Sequence, residues 1–520
     1  MDTRDLFPRA SARTSGFGGG HAAVVGASMT GLVTARILAN HFERVTLVER
    51  DRRLDPSEAR RSVPQGRHYH ILLGAGLDIA ADLFPGIVDE LIAGGALERD
   101  FGTLPWYHHG SWRVRFTSGI PAILCSRPLL EHTVYRRVRA LPNVEILEET
   151  TATDLRVSEG RDRVTGLDVD RAGRGPEVLG AELVVDAGGR SSHAPRWLTS
   201  AGYPRPPESK VDIDFTYVSR LYRCPERYLD QPTFLAIYPR PPEQKRAGIL
   251  SRIEGDRWIV SLSAYVGEQP PLDDEGFLAF ARSLPRPEIH DLLKDAEPLS
   301  PPVIHRFPSD RRRHFERMPR ALEGFVVSGD AACSFNPIFG QGMSAGCLGA
   351  RALDRCLREQ PRGDLRGLAA HFQRALAAVT DLPWNLATAE DLRYPEAKGE
   401  RPRGFAAKSW YTSQLVDACS YDTAVYGRWL LVMHLIRDLD ILFTPSMVWK
   451  ALWHRIRTAF WPNAEYERAR REPLQKVDPA TRAYVSRHLK SFEPAAREEV
   501  SRREPRPRRL DDPRESALLR

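Results

Sequence analysis

Hydrophobic and polar positions change period several times along the chain, and those changes divide it. From residue 21 a buried-type run, AAVVG, precedes TGLVTARILAN, in which Leu32, Ala35, Leu38 and Ala39 form one stripe. A second apolar run, VTLVE, follows. That order predicts strand, turn, helix, strand. Residues 68–97 read as helical and 103–117 as extended. RPLLEHTVYRRVRAL from Arg127 reads as an amphipathic helix, and short strands run from 144 to 185. Prolines in AGYPRPPESK mark a boundary. Beyond it Val211, Ile213, Phe215 and Tyr217 alternate with Asp212, Asp214 and Thr216, and WIVSLSAYV from Trp258 alternates likewise. Period two is the mark of half-buried strands, here with a helix near 274–295. FVVSGD at 325–330 returns to a buried parallel-type strand, and GQGMSAGCLGARALDRCL opens a helix. Residues 364–465 are mostly helical in pattern.

The expected architecture is α/β: a Rossmann-type dinucleotide-binding domain, an inserted antiparallel-sheet domain and a helical C-terminal extension. A loose leader is expected over 1–20. The binding domain is expected over 21–100, 120–203 and 311–362, and the inserted domain over 101–119 and 204–310. A helical extension covers 363–465 and a charged tail 466–520. A chain of 520 residues is too long for one ordinary core and suits this division.

Composition narrows the function classes. With 42% apolar and 28% charged residues the chain reads as soluble and globular. The net charge of +7 is spread over basic residues interleaved with acids, which argues against a nucleic-acid partner. RRR at 311–313 and RREPRPRR near Arg502 read as solvated charge. The six cysteines show neither CxxC nor His/Cys metal spacing, so unpaired thiols, a reduced compartment and no metal are expected. The N-terminus has no apolar signal-peptide core, and no window approaches the ~20 apolar residues of a membrane span, so the expected location is the cytoplasm. WLLVMHLIRDLDILF and MVWKALWHRI, between Trp429 and Trp461, fit helices packed over the inserted domain. They also fit an interfacial amphipathic pair, and packing is the preferred reading.

The first turn carries the clearest chemistry. Gly26, Ser28 and Gly31 form G-x-S-x-x-G between strand and helix. Gly26 permits the turn, Gly31 lets helix and strand pack closely, and small residues at Ala27 and Ser28 let backbone N–H groups approach a pyrophosphate. Glu49 ends the second strand 18 residues after Gly31, where a carboxylate accepts ribose hydroxyls and disfavours a 2′-phosphate. About 300 residues downstream, Gly329-Asp330 ends another strand and GQGM opens a helix. Asp330 can bond a ribityl hydroxyl, and the helix start can face a pyrimidine carbonyl. A nicotinamide dinucleotide needs no such second contact, whereas FAD is long enough to need it.

These residues resemble a known family. VVGASMTG, Glu49 in LVERD, RRSVPQGRHYH (60–70), Arg127 at a helix start, VVDAGGRSS (184–192) and GDAACSFNPIFGQGMSAG are similar to the class A FAD-dependent monooxygenases of the para-hydroxybenzoate hydroxylase fold, and within them to the squalene-epoxidase-like and polyketide-epoxidase-like branch. The match runs from about residue 20 to 360 in order. The resemblance implies FAD held by Gly26, Ala27, Ser28, Gly31, Glu49 and Arg50, flanked by Arg61 and Arg127. It puts Asp330 on the ribityl chain and the backbone of Gly340, Gln341, Gly342 and Met343 at the isoalloxazine. Gln65 and His68 are expected near the flavin or the substrate mouth, with Asn336 also flavin-proximal. Phe215, Tyr217, Phe335 and Ile338 are the pocket-lining candidates. DAGGR departs from the family's usual Asp-Gly form, which tells against direct NADPH use; with only one Rossmann turn in the chain, electrons are expected either from NADPH in a groove without its own fold or from a separate flavin reductase. No Trp-x-Trp-x-Ile-Pro motif is present, against a flavin halogenase.

The implied reaction is insertion of one O₂-derived oxygen, through a flavin C4a-hydroperoxide, into an apolar polyene, polyketide or terpenoid. No histidine or carboxylate stands out as a base for phenol hydroxylation, which favours epoxidation. The alternatives are a flavin reductase or dehydrogenase of prenyl chains, and a non-redox cyclase or binding protein with structural FAD. A lipophilic substrate and O₂ are the expected partners.

Overall fold

Five short parallel strands form the centre of the N-terminal body, in the order Phe325–Val327, Leu183–Asp186, Gly19–Val25, Phe42–Val48 and Val144–Leu147. Strand segments covered on both faces must be largely apolar, which is why 22–25, 45–48, 183–185 and 325–327 read as hydrophobic runs, while Glu43, Arg44 and Glu145 lie at exposed strand positions. Ala22, Ala23, Val24, Val45, Leu47 and Leu183 are wholly buried. The computed structural model describes residues 17–52, 64–228 and 234–460. Arg61 and the 466–520 tail lie outside the described residues, as do residues 1–16. The strand Gly19–Val25 starts inside the segment expected to be a loose leader, because Phe17 is buried on Phe42 with ring centroids 5.5 Å apart.

The helix Met29–Leu38 crosses over this sheet with eight of its ten residues buried. It also packs on the helix Gly342–Glu359. A Cβ at Gly346 would lie 2.3 Å from the Thr30 hydroxyl, so only glycine allows so close a crossing. Two pieces of chain more than 300 residues apart are thereby brought side by side.

The inserted sheet has eight strands and is antiparallel apart from one pair. Trp106–His108 joins its far edge in parallel with Phe234–Ile237. Side chains alternate between its faces. On one face Val218, Trp258, Val260 and Leu262 bury against the helices Asp274–Arg282 and Glu288–Leu293 as a separate small core. On the other, Phe215, Tyr217, Ser261 and Ser263 turn toward the Rossmann-type body. Helices Leu368–Asp391, Phe405–Ala418, Thr423–Met433 and Pro445–Phe460 complete the described chain.

The 68–97 stretch differs from its helical reading. Helices occupy only Gly74–Leu83 and Ile87–Ala93, and Leu97–Asp100 is a strand. Residues 68–73 run without helix along a cavity wall, where the Tyr69 N–H donates to Ser261 Oγ at 3.2 Å. Bonding and burial against the inserted sheet override the local helical pattern.

Candidate functional site

The first turn is held by its own bonds. The Gly26 N–H donates to Val48 O at 2.8 Å and the Ala187 N–H to Val25 O at 2.9 Å, which ties three neighbouring strands at their C-terminal ends. Glu49 takes the Ala27 N–H on Oε2 at 2.8 Å and the Asp51 N–H on Oε1 at 3.0 Å. Ser28 caps the crossover helix in an extended conformation, and its hydroxyl accepts from Arg127 Nη2 at 2.9 Å. Arg127 Nε donates to Glu131 Oε2 at 2.9 Å, and both side chains are buried. A fixed guanidinium therefore stands beside the positive end of the helix, an arrangement suited to a diphosphate.

That turn opens into a cavity of about 680 Å³. Gly26, Ser28, Glu49, Arg50 and Arg127 line it, as do Asp330, Gly340, Gly342 and Met343 from the other part of the chain. Asp330 is the most telling of these. Its carboxylate has no hydrogen-bond donor among the described residues, and burial raises its pKa, with Arg127 and Arg190 opposing. A carboxylate so placed is an open acceptor for a ligand hydroxyl. Gly340 is left-handed (φ +67°), the helix Gly342–Glu359 starts two residues on, and its first N–H groups have no partner within the helix.

The remaining expected site residues divide. Gln65, His68, Phe215, Tyr217, Phe335 and Ile338 line the cavity. Ala27 and Gly31 shape the turn without lining it. The Asn336 and Gln341 side chains turn away from the cavity: Asn336 Nδ2 donates to Asp391 Oδ1 at 2.9 Å, and Gln341 Nε2 donates to Met433 O at 3.0 Å. Both residues position the flanking loop. Trp258 and Tyr265 are core residues, the latter stacked on Tyr394.

Several wall residues carried no signal in the sequence. Tyr69, Phe101, Trp106, Phe234, Tyr238, Ile249, Met433 and His434 form an end of the cavity with no acidic or permanently cationic side chain. They come from five separate segments, and only the fold gathers them. Arg190, in DAGGR, spans the other side and donates to Ser334 and Ser309 hydroxyls at 3.0 and 2.9 Å.

Four of the histidines on the cavity wall, His68, His70, His305 and His434, are pushed below the usual imidazole range, toward the neutral form. Burial, reinforced by His70, His305 and Arg67, lowers His68 to about 3, and its Nδ1 lies 2.7 Å from Ser219 Oγ. Burial alone lowers His434 to about 3. The Gly74 N–H donates to His434 Nδ1 at 2.9 Å, so the neutral ring carries its proton on Nε2. Burial and Arg190 lower His305 as well.

Behind the cavity wall sits a carboxyl pair. Asp310 Oδ1 accepts the Asn336 N–H at 2.6 Å, and Asp310 and Asp391 lie within hydrogen-bonding reach of each other. Burial and mutual repulsion push Asp391 far above the carboxylate range, and burial raises Asp310 to about 6. The pair holds a proton at neutral pH and fastens the loop between Asp330 and Gly340. Both values are raised, so the stabilisation is fully present below the unfolded value near 4 and is lost as pH rises through the folded values. Asp391→Asn should therefore gain stability relative to the parent between pH 5 and pH 8, by about 1 kcal/mol or more. Urea midpoints at the two pH values check this, and parallel pH profiles would contradict it.

Among the described residues one trio has metal-ligand character, His108, His109 and Glu390. None of the three lines the cavity. Burial alone would raise Glu390, but Arg393 and His109 hold it near 2. Arg393 Nε lies 2.9 Å from its carboxylate, so the group is already neutralised. All six cysteines are free and buried.

Comparison with known proteins places this geometry. No family model matches the sequence. Protein Rv3254 of Mycobacterium tuberculosis is 32% identical over 469 residues, 87% of this chain and 97% of that protein. A second relative, the 6-hydroxy-3-succinoylpyridine 3-monooxygenase HspB of Pseudomonas putida, is 24% identical over 65% of this chain and 78% of its own length. Among solved structures, a flavoprotein/dehydrogenase from Cytophaga hutchinsonii superposes with a TM-score of 0.61 over 85% of this chain and 99% of its own, at 14% identity. The fold is thus the FAD-binding monooxygenase fold: a Rossmann-like parallel sheet with additional antiparallel sheets and C-terminal helices.

Proposed function

The chain belongs to the family of Protein Rv3254, and within that family we propose that it is an FAD-dependent monooxygenase acting on an apolar, uncharged substrate. One observation carries the reading. The unpartnered Asp330 carboxylate shares a cavity with the Gly26–Ser28 turn and Glu49, so a single extended ligand can meet both ends. The residues fit the cofactor. Glu49 and Arg50 would hold the adenosine ribose, and Ser28, Arg127 and the helix start the diphosphate. Asp330 would hold the ribityl hydroxyls, and the backbone from Gly340 the ring system. When bound and reduced, FAD supplies O₂ activation and transfer of one oxygen atom. The HspB name gives independent support for this activity class.

The protein's own residues do the rest. Tyr69, Phe101, Trp106, Phe234 and Tyr238 exclude water and orient an apolar substrate. Arg127 and Arg190 balance the negative charge of the cofactor. His68 and His434 are bonded through Nδ1 with no carboxylate partner among the described residues, and burial makes both weak bases, so neither is suited to take a substrate proton. That favours oxygen transfer to a carbon–carbon double bond, in line with the epoxidase-like resemblance, over hydroxylation of a phenol. A polyene, polyketide or terpenoid fits such walls, with NADPH or a separate reductase supplying electrons.

The test is turnover under ¹⁸O₂ with reduced nicotinamide, with and without a generic flavin reductase. Label in the product supports the reading. Product formed without label sinks it, in favour of a prenyl reductase or dehydrogenase, and turnover independent of both reductant and O₂ means cyclase or binding chemistry. Asp330→Ala should lower FAD affinity roughly ten- to hundredfold, the ~1.5–3 kcal/mol of a charge-assisted hydrogen bond, as read by flavin titration. Unchanged affinity would remove Asp330 from the cofactor site.

A further inference from the structure

We propose that the helix Pro445–Phe460 docks on the surface of a membrane containing anionic lipid. Eleven large apolar side chains are exposed among the described residues, and seven of them cluster: Trp410, Phe443, Val448, Trp449, Leu452, Trp453 and Ile456. Trp449 is 63% exposed. Five of the seven lie on this one helix. Trp410 belongs to Phe405–Ala418, which packs against it, and Phe443 to the loop before it. At 100° per residue, Val448, Trp449, Leu452, Trp453 and Ile456 cover one arc of about 140°. Met447, Ala451 and His454 occupy the opposite side and are buried against the body. The helix is therefore anchored by one face and presents a second, apolar face to the outside.

Charge decides what covers that face. The segment Pro445–Phe460 contains no acidic residue. Arg455 borders one edge of the apolar arc, while Lys450 and Arg457 border the other. Lys450 also pairs with Asp422, and Arg457 lies over the Tyr421 ring at 4.3 Å. Residues 461–520 carry 15 Lys and Arg against 11 Asp and Glu, more than half of the net +7. Tryptophan and leucine flanked by cations are what a lipid headgroup boundary selects: aromatic rings enter it, and long basic side chains reach back to phosphate. A soluble protein rarely leaves so large an apolar cluster bare. No helix of the described residues is long and apolar enough to cross a membrane, so the contact is peripheral. The patch is also close in sequence to the cavity, since Met433 and His434 line it and the chain runs on from them to Phe443. This inference goes beyond the proposed oxygenation and stands without it.

Sedimentation of the full-length protein with vesicles tests it. Phosphatidylcholine vesicles are compared with phosphatidylcholine mixed with phosphatidylglycerol, and brominated acyl chains report tryptophan depth by quenching. Binding to the mixed vesicles is expected, weakening with added salt. The triple variant Trp449→Ser, Leu452→Ser, Trp453→Ser should bind at least about tenfold more weakly. These side chains are exposed, so its thermal melt should match the parent. Arg455→Glu should weaken binding to the mixed vesicles alone. The inference is overturned if the parent sediments with neither vesicle, if the triple variant binds like the parent, or if the substitutions instead abolish a dimer detected by light scattering. That last result would assign the face to a second copy of the chain.

Discussion

Replacing Gly31 with alanine is expected to empty the proposed flavin site and to destabilise the protein by about 3 kcal/mol or more. A Cβ at this position would lie 1.8 Å from Gly26 O and 2.9 Å from Gly26 C. Both atoms are backbone, so no side chain can swing aside. Either the helix Met29–Leu38 lifts off the strand or the Gly26 turn opens, and each moves the N–H groups of the proposed diphosphate site. Affinity for FAD should fall about hundredfold, the equivalent of ~3 kcal/mol. Gly180→Ala is the control. A Cβ there meets nothing within 4 Å, and its effect should stay within about 0.5 kcal/mol. Equal urea midpoints and flavin content for the two variants would refute the close-packing account.

Arg127→Met is expected to cost about 3–5 kcal/mol, because it withdraws one partner of a buried ion pair. Arg127 and Glu131 are 7% and 5% exposed, and the same guanidinium holds Ser28 at the turn. The substitution also removes one of the two cations, Arg127 and Arg190, that oppose the burial-driven rise of Asp330, which should then climb further. The double variant Arg127→Met, Glu131→Leu should recover much of the stability, since an apolar pair of similar volume replaces the ion pair. It should not recover flavin affinity, because the positive charge beside the proposed diphosphate site is still missing. A double-mutant cycle by denaturation, with flavin titration alongside, separates the two roles. A single variant costing less than about 1 kcal/mol would show that the pair is not structurally important.

What the sequence disclosed, and what it withheld, follows from how local each signal is. The first βαβ unit was legible because turn, helix stripe and Glu49 lie within 30 residues of one another and each has its own chemical requirement. Asp330 and the helix after Gly340 were legible through spacing and family resemblance. The 68–73 stretch has helical composition, yet His68 and Tyr69 bond to the inserted sheet and Leu73 to Ser344, and no helix forms there. Asn336 and Gln341 sit in the right loop, yet their side chains face Asp391 and Met433, which no local pattern reveals. The apolar end of the cavity was illegible for the same reason: Trp106, Tyr238 and His434 become neighbours only through sheet pairing and helix packing. The helix Pro445–Phe460 shows the converse. Its amphipathic pattern was plain, but which face would be covered depended on where Phe405–Ala418 packs.

The central claim is that one FAD molecule lies between the Gly26 turn and the helix Gly342–Glu359. Denaturing the purified protein, separating the released small molecules and identifying them by mass and visible absorbance tests this most directly. The account predicts close to one FAD per chain, with much less retained by Gly31→Ala and Asp330→Ala. Release of a nicotinamide dinucleotide, or of nothing even after incubation with excess FAD, would contradict it.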